Sequence, residues 1–328
     1  VIPMAVITLT YAVKLMPTME ESLLLENTCG MFLKACDRVS QWCRKHRTLS
    51  QKKIRTALYA SLRNKQRLGS QMAQSAISRV IGSYRTIREN QGSPWNTKKA
   101  PHYTSTGYDL VWNRDYSITS KGILSVNTLD GRRKIAVDWT GMPDEYRHGR
   151  FGTARIIRRN HRWLLLIPVT IPIPDSPRPQ RVAGVDMGLR FLATVYDGDG
   201  NTTFHSGKEV TQKRAHYKAL RTDLQRRGTR SARRRLKKIG NRENRWMRDL
   251  NHQVSKALVN QFDKPTLIAM EDLKGIRHAT ERVGRKQRYV QVSWAFFQLR
   301  KMIEYKARKA GHSTILVDPS YTSQTCPK

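Results

Sequence analysis

Acidic residues are what this chain lacks most: 25 Asp and Glu stand against 61 Lys and Arg in 328 residues, a formal charge of +36. Cysteine is scarce too, at 4 residues, which excludes a disulfide framework and points to a reducing, cytoplasmic setting. No apolar run reaches the ~18 residues needed to cross a bilayer, so an integral membrane protein is excluded. The apolar stretch Val1–Val13 has no basic region before it and reads as a strand, not a signal peptide. Internal repeats, a glycine-rich phosphate loop and a local Ser-His-Asp or Cys-His signature are all missing. Neither a P-loop nor hydrolysis through a protein nucleophile is therefore supported. Apolar residues still make up 38% of the chain, enough to bury real cores, and the length suits about two domains.

What the chain does have is positive charge, and it is not evenly spread. Residues 213–248 hold 15 Lys and Arg and only two acids, Asp223 and Glu243. A surplus of this size repels itself until a polyanion neutralises it, and nucleic acid is the first candidate, ahead of anionic membranes and acidic proteins. The run lies between patterned segments and leads into an amphipathic helix, so it reads as phosphate-tracking helix and not as a tail. The candidate contacts are Arg226, Arg227, Arg230, Arg233, Arg234, Arg235, Lys237, Lys238, Arg242 and Arg245.

Hydrophobic spacing divides the chain. Residues 5–15 read as a strand. From Glu20 to His46, Leu25, Cys29, Phe32, Cys36, Val39 and Cys43 step by fours and threes, one stripe of a helix. Seven-residue cysteine spacing is wrong for a helical metal site, so these read as core thiols. Helical pattern continues over 50–90. Residues 103–172 turn to short alternating runs, with a hairpin about Asn160-His161. This predicts a small β-barrel (1–18 and 98–176) interrupted by a helical lobe (19–97). After a proline-bearing linker, Arg181–Asp186, Phe191–Tyr196 and Thr202–His205 read as strands. Helices over 209–261 broken near Gly228 come next, then a strand at Thr266–Met270, a helix over 292–310 and a strand at Thr314–Val317. Asp197 and Asp199 sit in a hairpin turn, not a calcium loop.

Two acids stand out against this pattern. Asp186 ends an otherwise apolar strand in Val182-Ala183-Gly184-Val185-Asp186-Met187-Gly188, and Glu271 ends another in Leu267-Ile268-Ala269-Met270-Glu271-Asp272. Either alone could be ordinary solvation of a strand end. Together, in a strongly basic chain with the order three strands, helices, strand, helix, strand, they suggest a two-metal phosphodiesterase centre using Mg²⁺, whose hard character suits carboxylate oxygens. They are expected to converge although 85 positions apart (271 − 186).

The chain resembles the TnpB family, transposon-encoded RNA-guided nucleases ancestral to compact type V CRISPR effectors. Gly184-Val185-Asp186-Met187-Gly188-Leu189 resembles the first RuvC motif of that family and Ala269-Met270-Glu271-Asp272-Leu273 the second. The basic helix running into Asn251-His252-Gln253-Val254-Ser255 is similar as well. So is the ending Val317-Asp318-Pro319-Ser320-Tyr321-Thr322-Ser323-Gln324-Thr325-Cys326-Pro327, where the family begins a zinc ribbon. The resemblance implies an α+β protein: an N-terminal wedge β-barrel holding the helical recognition lobe, then an RNase H-like RuvC α/β domain over 177–328 with a truncated zinc ribbon starting at 320–328.

It also implies a guide RNA, target DNA, no membrane and no required protein partner. The expected location is the cytoplasm of a prokaryote, at the nucleoid when DNA is bound. The implied activity is RNA-guided endonuclease cleavage of DNA beside a short target-adjacent motif. Catalysis would be two-metal, with Asp186 and Glu271 binding Mg²⁺, and Cys326 would be one ligand of Zn²⁺. The ribbon's next cysteine and the family's third catalytic Asp would lie past Lys328, so the natural protein is expected to continue. RNA-guided binding or repression without cleavage is the alternative, which the retained acids at 186 and 271 disfavour.

Overall fold

The computed structural model describes residues 5–97, 99–175, 177–239, 242–272 and 295–318. They fall into two compact units, Thr8–Ile171 and Val1–Ile7 with Pro172–Lys328.

In the first unit, strand β1 (Val6–Leu15) leads to helices α1 (Met19–His46), α2 (Gln51–Asn64) and α3 (Ser70–Gln91). Thr18 starts α1 with a capping box: its hydroxyl accepts from the Glu21 amide at 3.2 Å, and the Glu21 carboxylate accepts from the Thr18 amide at 2.7 Å. The stripe from Leu25 to Cys43 is buried. Burial pushes the Cys29 and Cys36 thiols up to about 12 and Cys43 to about 11, which makes them neutral packing groups.

Short strands come next: β2 (Gly107–Leu110), β3 (Tyr116–Ile118), β4 (Leu124–Thr128), β5 (Gly131–Ile135) and β6 (Val137–Asp138). After the single turn α4 (Asp144–Arg147) come β7 (Arg150–Phe151), β8 (Ala154–Arg159) and β9 (Arg162–Pro172). They make a half-barrel sheet in the order β2-β8-β9-β1-β6, with β7 on β9, and a separate β3-β4-β5 meander. Within the meander β4 buries Leu124, Val126 and Thr128, whereas β5 buries only Ile135. Asn160 and His161 take φ of 49° and 61°, and this left-handed pair closes β8 onto β9 with Arg159 opposite Arg162. Tyr108 is wholly buried and donates to the Asn127 carbonyl at 3.1 Å, a core role.

The second unit is built on strands β10 (Arg181–Asp186), β11 (Phe191–Tyr196), β12 (Thr202–Ser206), β13 (Thr266–Glu271) and β14 (Ser313–Val317). Its helices are α5 (Lys208–Arg227), α6 (Arg230–Ile239), α7 (Arg242–Asn260) and α8 (Ala295–Lys309). The sheet order is β12-β11-β10-β13-β14. β10, β11 and β12 are an antiparallel meander, while β13 joins β10, and β14 joins β13, in parallel. A parallel return cannot be made by a tight turn, and α5–α7 fill the crossover. Asp197 Oδ1 accepts from the amides of Asp199 and Asn201 at 2.8 and 3.0 Å, the self-contained turn expected between β11 and β12. α7 and α8 cover one face of the sheet, enclosing Ala183, Val185, Ile268 and Met270 with Leu258, Leu299 and Ile303. No helix among the described residues is long and apolar enough to cross a membrane.

Candidate active site

The parallel register fixes where the two acids fall. Val182 pairs with Leu267, Gly184 with Ala269, and Val185 with Met270, so the next step along each strand brings Asp186 and Glu271 side by side. Neighbouring strands lie about 4.8 Å apart. Side chains alternate along a strand. Val185 and Met270 are buried beneath the helices, so Asp186 and Glu271 leave by the opposite face. Asp186 is exposed and Glu271 half-buried there. Two residues back on that face stand Gly184 and Ala269, flanked across the sheet by the exposed side chains of Tyr196 and Ile315. Gly188 closes the turn after β10, its amide donating to the Phe191 carbonyl at 2.9 Å.

Among the described residues no group of three or more His, Cys, Asp or Glu comes together to hold a metal. The donor set in hand is this pair. It fits Mg²⁺, which is commonly held by one or two carboxylates with water and phosphate oxygens completing its shell. Cys326, Tyr321 and Thr322 lie outside the described residues.

Sequence reasoning missed one participant in this region, Arg300. It is 1% exposed, and its Nη1 donates to Asp272 Oδ1 at 2.8 Å. A legible signal existed: Phe296, Leu299, Arg300, Ile303 and Ala307 step at helical spacing, which places position 300 on the core stripe. His252 lies within 3.5 Å of the Tyr305 hydroxyl, and its carbonyl accepts from Lys306 at 2.5 Å. Burial, followed by the nearby Lys306 and Arg248 charges, lowers its imidazole pKa.

All ten residues singled out on the basic run are exposed: Arg226, Arg227, Arg230, Arg233, Arg234, Arg235, Lys237, Lys238, Arg242 and Arg245. Gly228, with φ of 62°, caps α5 in the left-handed conformation and turns the chain into α6. The two acids of the run do different things. Asp223 pairs with Arg226 and Arg227 at 3.2 and 2.9 Å. Glu243 is 6% exposed and is clamped by Arg214 at 3.4 Å and by Arg221, so it ties α5 to α7. Among the described residues, the eight cations from Arg230 to Arg245 make no ion pair with an acid.

Known proteins share parts of this arrangement. Residues 166–275 match a family described as probable transposase, OrfB_IS605, and residues 296–328 match the Cas12f1-like TNB domain. The chain is similar to the TnpB and Cas12f proteins. A TnpB-like protein of Methanocaldococcus jannaschii is 27% identical over 195 residues, 56% of this chain and 68% of that one. A CRISPR-associated endodeoxyribonuclease Cas12f1 of Syntrophomonas palmitatica is 24% identical over 187 residues. That match spans 52% of this chain and only 36% of the relative's length. In three dimensions, a Cas12f1 chain solved with its single-guide RNA and target DNA aligns with a TM-score of 0.67, covering 95% of this chain and 76% of that one at 13% identity. The mixed α/β fold is therefore of the Cas12f1 kind.

Proposed function

We propose that this TnpB relative is an RNA-guided DNA endonuclease whose second unit is an RNase H-like RuvC domain. The observation that carries the reading is the register of β10 against β13, which sets Asp186 beside Glu271 on the open face of the sheet. Each would present carboxylate oxygens to Mg²⁺. The bound ion would supply charge to offset that developing on the phosphate as a water oxygen bonds to phosphorus and the bond to the leaving sugar oxygen breaks. The chain's own part is positional. β10 and β13 hold the two carboxylates at adjacent strand ends, and Gly184 and Ala269 behind them add no bulk of their own to the open face, which exposed Tyr196 and Ile315 flank. The exposed cations of α5–α7 would follow phosphates of RNA or of the guide–target duplex, where charge and not sequence is recognised.

Guide RNA and target DNA are the partners this reading requires, with the target read by base pairing and a short adjacent duplex motif read by the protein. The wedge barrel and helical recognition lobe are the reading given to Thr8–Ile171. The Cas12f1 relative named as an endodeoxyribonuclease supports cleavage over guided binding alone. The test is redirection. Protein loaded with either of two guides is offered two plasmids in Mg²⁺, and each guide is expected to direct cutting to its own plasmid only. Cutting that ignores the guide, or guided binding with no cutting in any divalent ion, would contradict the proposal.

A further inference from the structure

Strand ends fray, yet a metal ligand at a strand end must hold still. Glu271 is the last residue of β13, and its neighbour Asp272 is anchored twice. The Asp272 amide donates to the Val317 carbonyl at 2.8 Å, extending the ladder onto β14. The Asp272 carboxylate receives Arg300 Nη1 at 2.8 Å. Arg300 is itself fixed. It is the largest fully buried side chain among the described residues, its Nε lies 3.5 Å from Glu304 Oε1 one turn along α8, and its guanidinium sits 5.0 Å from the centre of the Phe297 ring. A guanidinium held between two carboxylates and an aromatic ring has little freedom to move.

We propose that Arg300 is a positioning residue for the metal centre: through Asp272 it clamps the end of β13 and so fixes Glu271 beside Asp186. The inference rests on the reading of Asp186 and Glu271 as metal ligands. Alternation along the strand directs Asp272 away from the face that Glu271 and Asp186 share, toward α8, where Arg300 meets it. Of two adjacent acids, one is thus given to the metal and the other to the scaffold. The pairing has an electrostatic side as well. Three neighbouring carboxylates would repel one another, and Arg300 offsets Asp272, which leaves Asp186 and Glu271 as the anionic pair that attracts a cation.

The test measures Mn²⁺ affinity by electron paramagnetic resonance, and thermal midpoint, for the wild-type protein and for E271A, D272A, R300M, R300K and the double variant R300M/D272N. E271A is expected to lose the strand-end Mn²⁺. R300M is expected to weaken Mn²⁺ at least about tenfold and to lower the midpoint, since it takes the guanidinium away from a partly buried acid. R300K keeps the charge but not the paired donors, and should fall between. The double variant also removes the Asp272 charge that Arg300 offset and should regain the midpoint while Mn²⁺ affinity stays low, because the clamp is still missing. Mn²⁺ affinity that returns to the wild-type value in the double variant would make Arg300 a folding residue only and overturn the proposal. Loss of Mn²⁺ in D272A without any loss in R300M would also overturn it, by making Asp272 a ligand. Unchanged affinity in E271A would overturn the metal-centre reading itself, and the clamp with it, an outcome distinct from failure of the clamp alone.

Discussion

Asp186→Ala is expected to lower DNA cleavage by about 10³-fold or more while leaving guided binding nearly intact. The carboxylate is exposed at the end of β10, so its removal leaves Val185 and Met187 in the core beneath it undisturbed. What it takes away is one of two ligand groups for the ion that offsets charge on the phosphate. Such an ion contributes several kcal/mol, and each ~1.4 kcal/mol is tenfold in rate. Binding draws on other groups, the phosphate contacts of the basic helices and the guide–target duplex, and the loss of one anion should slightly ease the approach of DNA. Cleavage of a matched target in Mg²⁺, set against a gel shift on the same target, separates the two effects. Undiminished cutting would place the centre elsewhere. Joint loss of cutting and binding would make Asp186 a structural residue.

Replacing Arg233, Arg234, Arg235, Lys237 and Lys238 of α6 with glutamine is expected to weaken binding of a structured RNA by about two to three orders of magnitude at moderate salt. All five side chains are exposed, and among the described residues none is paired with an acid. α6 is anchored instead by Ala232 and Ile239, which pack with Leu224, so the helix should survive the change. Each phosphate contact contributes up to about 0.9 to the slope of log affinity against log salt, and the five together should flatten that slope by about 3 to 4. Fluorescence anisotropy across a salt series reads both quantities. The same number of substitutions among Arg132, Arg133 and Lys134 of β5 with exposed lysines of α2 is the charge-matched control. An equal loss in that control would mean that only net charge matters, and that α6 has no special part.

The strands carrying the acids were legible because a buried strand writes itself as an apolar run: Arg181–Asp186 and Phe191–Tyr196 run as the spacing suggests. The stripe of α1 and the hairpin about Asn160-His161 were legible for the same reason, each being set by local periodicity or turn chemistry. Sheet assembly in the first unit was not. Nothing local says that β3-β4-β5 should pair apart from the half-barrel, since strand pairing joins residues distant in the sequence, as β1 beside β9 does. At the candidate site, composition suggested that charges lie on the surface, and it therefore hid Arg300 and Glu243, two charged groups in the interior. Both are held there by partners far along the chain, Arg300 by Asp272 and Glu243 by Arg214 and Arg221. A buried charge is tolerable only when paired, and spacing along a sequence does not reveal the pairing.

That Asp186 and Glu271 share a divalent-ion centre on the open face of the sheet can be tested by letting the metal mark its own site. Fe²⁺ substituted for Mg²⁺, with ascorbate and peroxide, generates short-lived radicals that cut the polypeptide next to the bound metal. Two cuts are predicted, one within a residue or two of Asp186 and one within a residue or two of Glu271. Both should be suppressed together by excess Mg²⁺ and lost together in Asp186→Ala. Cuts at only one of the two strand ends, or cuts elsewhere that Mg²⁺ suppresses, would contradict a shared centre.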